Sequence, residues 1–166
     1  SGLVGSTLLQ YASSNYSIHF TYNTNKITFD NINSTQINLL GNQKMIIDLI
    51  KEVQPDIVVN TAAHSSVDLC ETDHSIADKL HVDITQDITQ ICKDIDSKLV
   101  YISTDAVFQG ELHKKYTELD QPNPINYYGK TKLQAEQITL NASSKNVVLR
   151  TAVIYGWHKK SRFTNW

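Results

Sequence analysis

The chain has 166 residues, with 15 lysines and arginines against 17 aspartates and glutamates, for a formal net charge of -2. That near-balance offers no electrostatic footprint for nucleic acid or an anionic membrane surface. The length suits one domain with a real core, no apolar run is long enough to span a bilayer, and no signal-peptide pattern opens the chain.

The first segment, Gly2-Leu3-Val4-Gly5, reads as a glycine turn entering a short helix with Leu3, Val4, Leu8 and Leu9 as its apolar positions. Ser17 to Tyr22 alternates, with Ile18, Phe20 and Tyr22 on one face, and predicts a strand. Residues 23–36 are rich in Asn, Ser and Thr and read as loop, with a short extended piece open at Ile27–Phe29 and a short strand at Ile37–Leu40. Met45, Ile46, Leu49, Ile50 and Val53 form a helical stripe that Pro55 ends. Asp56-Ile57-Val58-Val59-Asn60 is an apolar run of the kind buried in a parallel sheet.

A loop over Thr61 to Ser66 leads to a long helical segment containing Ile76, Ala77, Leu80, Ile84, Ile88 and Ile91. Lys98 to Ile102 is the next expected strand, and a long polar loop runs from Ser103 to Ile125. A helix begins near Tyr128, and a last strand covers Asn146 to Arg150. Strands and helices alternate, which predicts an α/β fold, a doubly wound parallel sheet of Rossmann-like type. No strand precedes Gly2, and Arg162-Phe163-Thr164-Asn165-Trp166 resembles the start of a helix, so the chain is expected to be a fragment. Cys70 and Cys92 fall in expected helices without metal-type spacing and read as reduced thiols of a cytoplasmic protein. The six histidines make no H-x-x-x-H or comparable set, so no metal is expected.

In open α/β sheets ligands bind beyond the carboxyl ends of the strands, which here exit into Asn60-Thr61, Ser103-Thr104-Asp105 and Arg150-Thr151. Tyr128 and Lys132 are one helical turn apart, and an ammonium beside a phenol lowers its pKa from ~10. Such a phenol exchanges a proton with a carbonyl or alcohol oxygen. Tyr22 with Lys26 and Tyr155 with Lys159 share the spacing, but only Tyr128 opens an amphipathic helix after a polar strand exit. Thr104 is the hydroxyl placed to orient a substrate carbonyl, and Asp105 either binds substrate or caps the loop. Gly2, Leu3, Val4 and Gly5 fit the tail of a dinucleotide fingerprint, in which a pyrophosphate sits on the helix N-terminus. Thr61, Ala62 and Ala63 are small enough for a cofactor to lie close to the backbone, and a tight strand exit explains them equally well. The strand end Thr21-Tyr22-Asn23-Thr24-Asn25-Lys26 has no carboxylate to bind an adenosine ribose, which leans towards NADPH and leaves NADH open.

Taken together with Val67-Asp68-Leu69-Cys70-Glu71, Ser103-Thr104-Asp105-Ala106-Val107-Phe108, the run from Pro122 to Lys132, and Leu149-Arg150-Thr151, these segments resemble the extended short-chain dehydrogenase/reductases. Within that superfamily the chain is most similar to the dTDP-4-dehydrorhamnose reductases. The resemblance implies an NAD(P)-binding domain over residues 1–156, with 157–166 leading to a substrate-binding part. It implies Tyr128, Lys132 and Thr104 as catalytic residues, Tyr128 and Lys132 also touching the cofactor, and Thr104, Asp105, Val107 and Phe108 facing the substrate. The implied substrate is a nucleotide-linked 6-deoxy-4-keto sugar, with a homodimer open as the assembly. Dehydratases of the superfamily usually carry Asp-Glu after the threonine; Asp105-Ala106 lacks that second acid, which favours plain reduction. His81 stands where asparagine is common. A non-catalytic NADP-binding subunit like the beta subunit of methionine adenosyltransferase, or an epimerase, would share most of this pattern.

Overall fold

The structure is a computed structural model that describes residues 2–12, 15–29 and 32–155. The expected boundary at 156 and the segment 157–166 lie outside the described residues, as do Gly156 and Lys159.

The first helix, α1, runs Leu3–Ala12, and the strand expected nearby is β1, His19–Tyr22. The second strand differs from expectation. It is β2, Asn33–Gln36, inside the polar stretch, whereas Ile27–Phe29 and Ile37–Leu40 are not strands. Parallel pairing with β1, in register from His19 with Asn33 to Tyr22 with Gln36, overrides the polar composition. Ile37 instead leaves the ladder after its N–H bonds the Tyr22 carbonyl at 2.8 Å, and its side chain enters the core.

The apolar stripe forms α2, Lys44–Val53, which ends at Gln54 in a left-handed conformation just ahead of Pro55. After β3, Ile57–Asn60, the long helical segment breaks at Asp73 into α3, Val67–Thr72, and α4, His74–Ala77. Its chain then runs through a π-helical turn, Asp78–Asp83, into α5, Ile84–Asp94. The strand β4, Lys98–Thr104, is followed by a 3-10 turn, Asp105–Val107. The last pair is α6, Tyr127–Ala142, and β5, Val147–Thr151.

Every strand pair is parallel: β1 with β2, and β3-β4-β5 in that order. Parallel neighbours need a crossover, which α3 to α5 supply between β3 and β4, and α6 between β4 and β5. Ile46 and Ile50 of α2 meet Ile84, Ile88, Ile91 and Cys92 of α5 over Leu99 of β4, with Ile37 closing the cluster. Both Cys70 and Cys92 are buried free thiols.

Among the described residues β1 and β3 are not paired with each other, so each keeps one open edge. Ile57 and Val59, expected to be buried, are 50% and 38% exposed.

Candidate active site

The site forms where β4 ends and α6 begins. Asn126 is extended and its side-chain oxygen accepts from the Gly129 N–H at 2.7 Å, an N-cap that starts α6 at Tyr127. Thr104 caps the turn after β4 in the same way: its hydroxyl accepts from the Ala106 N–H at 3.1 Å and donates to Asp105 Oδ1 at 3.3 Å. The two caps interlock at Gly129. A Cβ there would lie 2.3 Å from the Ala106 carbonyl oxygen and 2.9 Å from Pro124 Cβ, so only glycine lets the helix sit this close. That contact brings Tyr128 near Thr104, whose hydroxyl lowers the phenol pKa.

Lys132, one turn on, is buried. Its Nζ donates to the Ile102 carbonyl at 2.7 Å and lies 4.1 Å from the centre of the Tyr101 ring. Burial lowers its pKa to about 7, against the opposing pull of Glu136. Tyr128 behaves differently from the sequence expectation. Its pKa is raised, because burial outweighs the lowering by Thr104, and the charges of Cys70 and Asp105 add to the rise. The Lys132 ammonium is spent on β4 rather than on the phenol, which is why it does not lower the tyrosine here.

The segments expected at the cofactor also meet. Gly5, in the first turn of α1, comes so close to β3's exit that an added Cβ would stand 3.3 Å from Thr61 Oγ1. Asn60 shapes that exit, accepting from the Ala62 N–H at 3.0 Å and donating to Thr85 Oγ1 at 3.2 Å. Nothing lies within 4 Å of a Cβ added at Gly2, so the space in front of the helix is open. The first N–H groups of an α-helix have no partner within it, and they carry the positive end of its dipole.

The residues expected at a substrate are placed differently from one another. Val107 is fully buried, turned inward by the 3-10 turn. Phe108 is half-buried, with Tyr116 stacked on its ring at 4.3 Å and the Arg150 guanidinium 5.0 Å from its centre, and it lines a cleft together with Asp105 and Thr151. Asp105 is exposed beside Thr104. Sequence reasoning passed over Gly129, although its place between Tyr128 and Lys132 was the signal. It also passed over Tyr101, whose pairing with Lys132 depends on strand register that no local pattern encodes. Among the described residues no group of three or more His, Cys, Asp or Glu side chains is placed to hold a metal ion.

Parallel strands joined by helices, with threonine, tyrosine and lysine gathered at the strand ends, define a Rossmann-like domain of the short-chain dehydrogenase/reductase kind. The profile of the RmlD substrate binding domain family matches residues 1–165, and the chain belongs to that family. A probable low-salt glycan biosynthesis reductase of Haloferax volcanii is 30% identical over 93% of this chain and 51% of its own length. The beta subunit of methionine adenosyltransferase 2 from Bos taurus is 38% identical over 73% of this chain and 36% of its own. Among solved structures, a hypothetical dTDP-4-dehydrorhamnose reductase from Sulfolobus tokodaii superposes with a TM-score of 0.82 at 34% identity, covering 91% of this chain and 52% of that one. The Bacillus anthracis dTDP-4-dehydrorhamnose reductase, solved in complex with NADP, gives 0.71 at 25% identity over 83% of this chain and 54% of that one. The chain thus spans about half the length of these structures and half or less of the curated relatives.

Proposed function

We propose that this chain is the cofactor-binding part of an NADPH-dependent reductase acting on the 4-keto group of a nucleotide-linked 6-deoxy sugar, as in dTDP-L-rhamnose synthesis. The observation that carries the reading is the junction at Gly129, which holds the first turn of α6 with Tyr128 against the end of β4 near Thr104, one turn ahead of the buried Lys132. The donor set fits a dinucleotide: the N-terminus of α1, with open space around Gly2, for the pyrophosphate, Thr61 to Ala63 alongside, and Lys132 with Tyr128 for the nicotinamide ribose. NADPH, when bound, supplies the hydride for the carbonyl carbon.

The chain's own groups supply the rest. Thr104 orients the carbonyl oxygen through its hydroxyl. Tyr128, with a raised pKa, stays protonated across the neutral range and donates its phenolic proton to that oxygen as negative charge develops there. Lys132, with a pKa of about 7, is held ready to restore the proton. Asp105 lines the approach, and Ala106 offers no second acid for elimination. No described helix is long and apolar enough to cross a membrane, and with two buried free thiols we place the protein in the cytoplasm.

The test uses the full-length parent protein with NADPH and dTDP-4-dehydro-6-deoxy-L-mannose. Loss of NADPH absorbance should be rapid for the wild type and fall by ~100-fold or more for Tyr128→Phe, the usual scale of a lost general acid. Equal rates for the two proteins would remove Tyr128 from the mechanism. The likeness to the methionine adenosyltransferase beta subunit favours a second reading, a non-catalytic NADP-binding subunit. Tight NADPH binding, no turnover of any keto sugar and a stoichiometric partner enzyme would establish that reading instead.

A further inference from the structure

His81 stands outside the Thr104, Tyr128 and Lys132 group, fully buried within the π-helical turn Asp78–Asp83. Such turns recur where helices build functional sites. Both ring nitrogens have partners. The backbone N–H of His64, in the loop after β3, donates to Nε2 at 3.0 Å. Nε2 therefore holds a lone pair, and the ring proton is on Nδ1. Nδ1 donates that proton to Thr131 Oγ1, 2.8 Å away. The Thr131 hydroxyl donates in turn to the Tyr128 carbonyl at 3.0 Å or the Tyr127 carbonyl at 3.2 Å. Every donor meets an acceptor, and a single backbone N–H sets the direction of the whole chain. The Tyr128 ring stands edge-on to the imidazole, with centroids 5.5 Å apart.

We propose that His81 is a positioning residue that ties the loop carrying Thr61, Ala62 and Ala63 to the first turn of α6, and so sets the cofactor cradle against the Tyr128 and Lys132 pair. The proposal rests on the reductase reading for what the site does; the tie itself is independent of the substrate. An imidazolium would turn a second N–H against the His64 N–H, so the chain of bonds exists only with the neutral ring. Burial first, then the charges of Lys132 and His64, hold the His81 pKa down to about 3, so the ring is neutral wherever the enzyme would work. Neither partner is replaceable by packing alone: phenylalanine at 81 keeps a ring without donor or acceptor, and valine at 131 keeps the shape without the hydroxyl.

The experiment uses the full-length parent protein with His81→Phe, Thr131→Val, the double variant, and His81→Asn, which restores one acceptor and one donor. Thermal unfolding identifies the variants that fold, and Thr131→Val carries the comparison if His81→Phe does not. Each folded single variant should lose about tenfold or more in kcat, the scale of a slightly misplaced reacting group, and should bind NADPH more weakly. The pH profile of kcat/KM should shift with it, while KM for the sugar stays within about twofold, and His81→Asn should recover part of each loss. Because the links act in series, the double variant should match either single. Unchanged NADPH affinity and pH profile in His81→Phe or Thr131→Val, or additive single effects, would overturn the proposal. A wild type that binds NADPH without reducing any keto sugar defeats the reductase reading alone, and the variants' NADPH affinities then decide the role of His81.

Discussion

A methyl group at position 129 would separate α6 from the end of β4, since its nearest neighbours are a backbone oxygen at 2.3 Å and the Pro124 ring, neither of them a flexible side-chain tip. Gly129→Ala should therefore cost about 1–3 kcal/mol in urea unfolding and should lower turnover by displacing Tyr128. A loss below about 0.5 kcal/mol would mean that the junction is looser than described. Lys132 gives a second residue-scale prediction, through pH. Its folded pKa lies near 7, below the ordinary 10.5, chiefly because burial disfavours the charge. Between those values the unfolded chain binds more protons than the folded one, so the penalty is full below pH 7 and fades as pH rises towards 10.5. Lys132→Met removes this term. The stability advantage of Lys132→Met over the wild type should shrink as pH rises through the window, as denaturant unfolding at both ends would measure. A difference independent of pH would show that Lys132 keeps its charge at no cost.

Between elements, the ion pair of Glu136 and Arg150 joins α6 to β5. The guanidinium donates through Nε and Nη2 to both carboxylate oxygens, at 3.0, 3.2 and 2.7 Å, and Glu136 is almost wholly buried. Removing one partner leaves a buried charge, so Arg150→Met should destabilise by about 3 kcal/mol. The double variant with Glu136→Leu should recover much of that loss; a double variant as unstable as Arg150→Met would show that the cost is packing against Phe108. At this scale the sequence was a good guide wherever side-chain pattern decides structure. The stripe Met45 to Val53, the helix beginning near Tyr128 and the glycine turn into α1 all carry local signals. It misled at β2, where Asn33–Gln36 pairs through backbone alone and the apolar Ile37 serves the core from outside the ladder. At the site, the spacing of Tyr128 and Lys132 was legible. Tyr101 beneath the ammonium, His81 between the loop after β3 and α6, and the inward turn of Val107 were not, because each depends on contacts across the fold.

For the molecule as a whole, the described structure holds its parallel sheet in two parts, β1-β2 and β3-β4-β5. Only β4 is paired along both edges among the described residues. Exchange protection follows hydrogen bonding and burial, so the chain as given should protect β4 amides most strongly. On β1 and β3 the N–H groups facing the open side should exchange quickly, while those of β3 that face β4 remain slow. On β3, Ile57 and Val59 are 50% and 38% exposed, side chains that otherwise favour a strand's buried face. Hydrogen exchange on this chain and on the full-length parent separates the possibilities. Protection of the open-side amides in the parent only would place a further strand between β1 and β3, joining cradle and catalytic junction into one sheet. It would also raise the stability on which the closeness of Gly5 to Thr61 depends, because α1 and β3 would then pack on a common neighbour. Strong protection of those amides in the chain as given would contradict the division of the sheet. In that case β1 and β3 close on each other in solution, and Gly5 and Thr61 would have to separate from the contact described here.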